Sequence, residues 1–138
     1  MKILGLDLGS VTLGMAVSDV NEILASPREI YRFKENDFTS AINYTLEVLK
    51  EIASNKVVLG YPKNMNNTLG ERAKTSIEFK KELEKAGVEV ILWDERLSTV
   101  EVTKVMIKAD LSRKKRKKHV DKLAAVVILQ GYLDSKRR

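Results

Sequence analysis

Apolar and polar residues alternate at the start of the chain, and this pattern predicts two strands joined by a tight turn. Successive side chains of a strand point to opposite faces, so Leu4, Leu6 and Leu8 would share one face. Asp7 would lie on the other face, shortly before Gly9. A carboxylate in an apolar strand loses water and needs a hydrogen-bond donor, a cation or a metal to remain charged. The pattern therefore predicts a functional site at Asp7.

The rest of the chain predicts one more strand and then helices and strands in alternation. Apolar residues at helical spacing, capping boxes and short apolar runs mark these elements. They are an extended segment at 22–33, a helix from Asp37 to about Ala53, a strand at Lys56–Gly60, a helix from Thr68 to Ala86, a strand at Val88–Trp93, a helix from Ser98 to about Lys108 and a last helix at about Val120–Leu133. The order βββαβαβαα predicts the α/β class, with helices on both faces of a mixed sheet.

The composition is that of an ordinary globular chain. Its 138 residues suit a single domain, 1–138, and 43% of them are hydrophobic while 32% are charged. No apolar run reaches the roughly 20 residues that cross a bilayer, and the first residues do not resemble a signal peptide. Without cysteine, the chain has no disulfide or zinc-thiolate chemistry. We expect a cytoplasmic protein that does not bind membranes.

The positive charge is concentrated in one segment, the basic run: Arg113, Lys114, Lys115, Arg116, Lys117 and Lys118. The net charge is +6, and outside the basic run acidic and basic residues are equal in number. Such a run is either a solvated loop before the last helix or a contact for the phosphates of nucleic acid, where counterion release favours binding.

Three carboxylates are predicted to converge. Ligand sites of open α/β sheets form beyond the carboxyl ends of the parallel strands, where Glu95 follows a predicted strand. Asp121 shares a helical stripe with Ala125 and Ile128 and would point toward the sheet. Each acid alone has a structural explanation: turn amides for Asp7, Arg96 for Glu95, a helix N-terminus for Asp121. Together they would repel one another without a cation, and oxygen ligands favour Mg²⁺ or Mn²⁺.

Five motifs, in this order along the chain, resemble the YqgF/RuvX family, which is related to the RuvC Holliday-junction resolvases. They are Leu4–Ser10, Gly14–Asp19, Gly60–Met65, Asp94–Thr99 and Val120–Ala125. The resemblance implies a ribonuclease H-like fold with a mixed five-stranded sheet. It also implies a metal-dependent nuclease that either processes the precursor of 16S ribosomal RNA or resolves branched DNA.

The family's acidic triad corresponds to Asp7, Glu95 and Asp121. The resemblance implies that they hold two Mg²⁺ or Mn²⁺ ions, which activate water and stabilise the leaving oxygen. Lys63, Arg72 and Arg96 would help to bind phosphate, and the basic run would bind the nucleic-acid backbone. Many ribonuclease H-like enzymes have a fourth carboxylate, for which Asp94, Asp19 and Glu101 are the candidates. A resolvase cuts two strands symmetrically, which suggests a homodimer.

Two other functions remain open from the sequence. A nucleotide-binding domain of the actin/Hsp70 type has a similar Asp-x-Gly turn, but those proteins use two such domains and have no role for the basic run. A nucleic-acid-binding factor could keep the fold without cleaving. A factor of that kind would be expected to lose its acids, whereas this chain has all three.

Overall fold

A five-stranded mixed sheet is the centre of the computed structural model. The structure describes residues 1–61, 67–94 and 113–136, and it describes side chains only at 1–60, 74–93 and 124–136. Its strands are β1 (Leu4–Leu8), β2 (Thr12–Ser18), β3 (Ala25–Arg32), β4 (Lys56–Tyr61) and β5 (Glu89–Asp94). The strand order is β3-β2-β1-β4-β5. Strands β1 to β3 are antiparallel, while β4 and β5 run parallel to β1. The predicted α/β class and mixed sheet are confirmed.

Three helices accompany the sheet: α1 (Phe38–Glu51), α2 (Asn67–Lys85) and α3 (Arg113–Lys136). Asp37 caps α1 as predicted, since its carboxylate accepts a hydrogen bond from the Ser40 amide at 3.3 Å. The helix predicted from Ser98 to Lys108 lies outside the described residues. The single domain 1–138 stays a prediction. In the part of the chain described here, no helix combines the length and apolar character needed to cross a membrane.

The two faces of the sheet carry separate apolar clusters, as the strand alternation predicts. On one face Leu4, Leu6 and Leu8 pack with residues of α1 and α2. On the other, Ile3 packs with the apolar stripe of α3: Ala125, Ile128, Leu129 and Leu133. All four stripe residues are at most 1% exposed, so α3 covers the face to which Asp7 belongs.

Helix α3 runs antiparallel to β1. Near the end of α3, Gln130 Oε1 accepts a hydrogen bond from Ala25 N and Gln130 Nε2 donates one to Ile23 O, both at 2.9 Å. These contacts lie next to the start of β1. Earlier in the helix, Ala125 lies beside Gly5. The N-terminal half of α3 therefore extends toward the carboxyl end of β1, where Asp7 is located.

Two predicted helix starts were wrong. Helix α3 begins at Arg113, so the basic run forms its first turns and is not a loop. Lysine and arginine are good helix formers, and the run holds neither Gly nor Pro, so charge repulsion does not prevent the helix. Helix α2 begins at Asn67, which places Thr68 inside the helix and not at its cap.

Helices α1 and α2 end in the same hydrogen-bonded turn, but only one has glycine at the left-handed position. In α2, Gly87 has φ +88°, as predicted for a glycine stop, and Val88 N donates to Leu83 O at 3.1 Å. In α1, Ala53 occupies that position with φ +55°, and Ser54 N donates to Leu49 O at 2.9 Å. Both turns are Schellman motifs, and the left-handed backbone of Ala53 is strained because this residue carries a Cβ.

Ala53→Gly should raise the free energy of unfolding by about 0.5–1 kcal/mol, because it removes left-handed strain at a small entropic cost. Gly87→Ala is the reciprocal change in the matching turn and should lower it by about 1 kcal/mol. Urea denaturation measures both, with an unchanged m-value. A loss of stability in Ala53→Gly would contradict the strain at that residue.

Candidate active site

Asp7 is a half-buried carboxylate on the central strand of the sheet. In the antiparallel ladder it pairs with Gly14 of β2. On the other side Leu6 pairs with Leu59 of β4, so Gly60 follows at the level of Asp7. Neither neighbour on the two flanking strands carries a side chain. The Asp7 carboxylate is therefore the only side chain at its level on three adjacent strands.

The carboxyl ends of β1, β4 and β5 lie at the same end of the sheet, and Asp7 is located there. Gly60 pairs with Trp93 of β5, so Trp93 lies at the level of Asp7 on the outermost strand. Trp93 lies on the α3 face, where its indole meets the Tyr132 ring edge-on with centroids 6.0 Å apart. Glu95 follows Trp93 by two positions in the sequence and lies outside the described residues.

Asp121 belongs to the described backbone of α3, one turn before Ala125. The described part of the predicted stripe packs against the sheet, since Ala125 and Ile128 are 0% and 1% exposed. The expected inward stripe is thus confirmed for its described members. The side chain of Asp121 is not among the described ones.

The remaining predicted contacts are only partly located. Arg72 lies in α2 and the basic run in the first turns of α3, without described side chains. Lys63 and Arg96 lie outside the described residues, as does Glu101. Among the side chains that are described, no group of three or more acids or histidines could hold a metal ion. Of the three predicted metal ligands, the structure therefore describes one side chain, that of Asp7, with its surroundings.

Sequence reasoning did not identify Gly60 as a neighbour of Asp7 or Gly131 as a contact of α3 with the sheet. Gly14 and Gly60 were parts of motifs, but only the strand register shows that both flank Asp7. Gly131 was not singled out, yet a Cβ there would lie 3.1 Å from Trp93 Nε1. The signal was a glycine in the interior of a helix, which normally costs about 1 kcal/mol relative to alanine.

Comparison with known proteins decides the family. Residues 1–135 match the profile of the RuvX family, described as Holliday junction resolvase. The chain belongs to the RuvX family. It is 50% identical over 136 residues to a Bacillus subtilis protein named "Putative pre-16S rRNA nuclease". A Bacillus pumilus protein of the same name is also 50% identical, with 98% of this chain and 99% of the relative covered. The predicted enzyme class, a nuclease, is confirmed by this family membership.

Solved structures support the fold of this RuvX-family chain. Thermus thermophilus RuvC, solved with a Holliday junction substrate, superposes with a TM-score of 0.63 at 17% identity and covers 99% of this chain and 96% of its own. The Holliday junction resolvase of fowlpox virus gives 0.57 at 16% identity, covering 98% and 99%. At such identities the likeness establishes a shared fold, and the predicted ribonuclease H-like architecture is confirmed.

One candidate for the fourth carboxylate is excluded. Asp19 follows β2 at the end where Ser18 N bonds Ile3 O, which is the opposite end of β1 from Asp7. Its carboxylate accepts hydrogen bonds from the amides of Ile23 at 2.7 Å and Leu24 at 3.1 Å. These backbone bonds, that of Ile23 foremost, hold the pKa of Asp19 below its ordinary value. Asp19 orders the β2–β3 turn of this RuvX-family chain.

Asp19→Asn should leave nucleic-acid cleavage unchanged, because the residue is at the far end of β1. The lowered pKa means that the Asp19 carboxylate stabilises the fold above its unfolded pKa, and that this contribution is lost as the pH falls through the folded value. The variant should therefore lose less stability than the parent on acidification from neutral pH to about pH 3. Thermal melting across that pH range measures this, and a loss of cleavage would return Asp19 to the active site.

Proposed function

We propose that this chain is a divalent-metal-dependent nuclease whose ligands are Asp7, Glu95 and Asp121. The observation that carries the proposal is the setting of Asp7, a half-buried carboxylate between Gly14 and Gly60 under the helix that carries Asp121. Glycine on both flanks leaves room beside the carboxylate for an ion and a substrate phosphate.

The donor chemistry fits Mg²⁺ or Mn²⁺. All three proposed ligands offer only carboxylate oxygens, which these cations prefer over nitrogen or sulfur. When bound, a pair of ions activates water and stabilises both the attacking and the leaving oxygen of an in-line displacement. Asp7, on the rigid central strand, would bind both ions, while Glu95 and Asp121 would bind one each.

The fold supports the convergence of the three acids. Helix α3 runs antiparallel to β1, so the step from Ala125 back to Asp121 goes in the same direction as the step from Gly5 to Asp7. Ile91 and Trp93 of β5 both contact the cluster under α3. Glu95 continues that alternation in the sequence, as expected for a third ligand on the same face.

The proposed substrate is the precursor of 16S ribosomal RNA. Two relatives at 50% identity over nearly the whole chain carry that substrate in their names, whereas the RuvC and fowlpox likenesses are at 17% and 16%. Branched DNA is the competing substrate, because the family description names the Holliday junction. A junction would require two symmetric cuts and so favours a homodimer. The expected cytoplasmic location stays a prediction.

The basic run would bind the nucleic-acid backbone from the first turns of α3. Asp121 follows the run in the same helix, so phosphates bound by the run would lie next to the proposed metal site. Lys63, Arg72 and Arg96 would contribute further phosphate contacts. The positive charge of the basic run also offsets the repulsion that the three carboxylates exert on an approaching polyanion.

Asp7→Asn should abolish cleavage of precursor 16S RNA while leaving its affinity nearly unchanged. The amide keeps the shape of the side chain but removes the charge that would hold the ions. The assay compares both proteins on precursor RNA and on a four-way DNA junction, with Mn²⁺, with Mg²⁺ and with chelator. The substrate that is cut in an Asp7-dependent way identifies the activity.

Cleavage that survives in Asp7→Asn would contradict the catalytic assignment. Binding of nucleic acid without cleavage by the parent protein, under both metals, would instead identify a non-catalytic binding factor. Asp19→Asn is the matched control, since it makes the same chemical change at the other end of β1.

Replacing Lys114, Lys115, Lys117 and Lys118 with glutamine should weaken RNA binding and flatten its salt dependence. Each lost phosphate contact reduces the slope of log K against log salt by ~0.7 for single strands. Four contacts would therefore reduce it by up to about 3. Fluorescence anisotropy at several salt concentrations measures the slope.

The control variant replaces four exposed lysines located elsewhere in the chain: Lys34, Lys50, Lys81 and Lys85. It removes the same charge from the protein. Equal slopes for the two variants would show that the effect is one of net charge, and would rule out a specific contact by the basic run.

A further inference from the structure

Gly5 is a point of close approach between α3 and the strand that carries Asp7. A Cβ built on Gly5 would lie 2.7 Å from the Leu129 Cβ and 3.1 Å from the Ala125 carbonyl oxygen. Both partners are fixed, because one is backbone and the other is the first atom of a side chain that is 0% exposed. Any side chain at residue 5 would therefore push the strand and the helix apart.

The contact lies one structural step from the proposed metal site. From Gly5 to Asp7, β1 advances about 6.6 Å, and one helical turn from Ala125 back to Asp121 covers about 6 Å. Since α3 is antiparallel to β1, these two steps run side by side. The separation of strand and helix at Gly5 is thus passed on almost directly to the backbones that bear the two carboxylates.

We propose that Gly5 is a positioning residue that sets the affinity of the metal site by fixing the distance between Asp7 and Asp121. This inference rests on the proposed function. Carboxylates held close together repel each other in the absence of a cation, so a tight strand–helix contact is needed to keep them at a separation that one ion can bridge. A wider separation would weaken metal binding before it disrupts the fold.

Gly131 offers a matched control in the same layer. A Cβ there would lie 3.1 Å from Trp93 Nε1 and 3.5 Å from the Cε2 and Cζ2 atoms of the same ring. Gly131→Ala therefore also crowds the α3–sheet interface. It does so against the edge strand, about three turns of helix from Asp121. Both variants should melt at lower temperature. Gly5→Ala should disturb the metal site more, because the Trp93 ring can shift by the few tenths of an ångström that Gly131→Ala needs, whereas the Leu129 Cβ and the Ala125 carbonyl cannot.

The experiment measures two responses to Mn²⁺: the rise in melting temperature of the protein alone, and the Mn²⁺ concentration that gives half-maximal cleavage of RNA. A ligand that binds only the folded state raises the melting temperature according to its affinity, which gives a readout independent of catalysis. Gly5→Ala should need ~10-fold more Mn²⁺ in both measurements, as for other changes in groups that orient metal ligands. Gly131→Ala should need less additional Mn²⁺ than Gly5→Ala in both measurements.

Ala125→Ser covers the case in which Gly5→Ala does not fold. It adds one atom to a side chain that is 0% exposed in the apolar cluster between α3 and the sheet, and a serine hydroxyl inside a helix can bond the carbonyl one turn earlier. It should shift the Mn²⁺ response in the same direction by a smaller factor. An unchanged Mn²⁺ requirement in every folded variant at Gly5 or Ala125, or an equal shift in Gly131→Ala, would overturn the role of Gly5.

The parent protein and Asp7→Asn separate the two claims. If the parent shows neither a Mn²⁺-dependent melting shift nor cleavage, the proposed function fails and the inference fails with it. If the parent responds to Mn²⁺ and Asp7→Asn does not, the proposed function holds. The variants at Gly5 and Ala125 then decide the inference alone.

Discussion

The close packing of α3 on β1 is the constraint on which the rest of the structure depends. It is possible because Gly5 has no side chain and because the stripe facing it is small at Ala125. The packing buries one face of the sheet, and it brings the N-terminal half of a strongly basic helix to the carboxyl end of the central strand. The proposed site takes two carboxylates from different elements, and its geometry would depend on this contact.

The position of Asp7 then becomes understandable in electrostatic terms. A charged group on a half-buried strand costs free energy unless it is compensated, and Gly14 and Gly60 leave room for a cation beside Asp7. A divalent cation would add to the compensation of that charge, and it would at the same time offset repulsion from Asp121. Folding and metal binding are therefore expected to be coupled at this site.

Much of this could be predicted from the sequence because its strongest signals are local. Alternation around Asp7 gave the faces of β1 correctly, and Gly87 marked the end of α2 through its need for a positive φ. The start of α3 could not be predicted in this way, since the helix propensity of the basic run competes with charge repulsion. The glycine flanks of Asp7 are a property of strand register. Gly14 and Gly60 are 46 residues apart in the numbering, and no local pattern relates them.

The central claim is that Asp7 holds a divalent cation, and equilibrium binding of Mn²⁺ tests it most directly. Free Mn²⁺ is counted by electron paramagnetic resonance in solutions of the parent and of Asp7→Asn, with Asp19→Asn as the control. The account predicts that the parent and the control remove Mn²⁺ from solution equally and that Asp7→Asn loses this binding. Equal Mn²⁺ binding by all three proteins would contradict it.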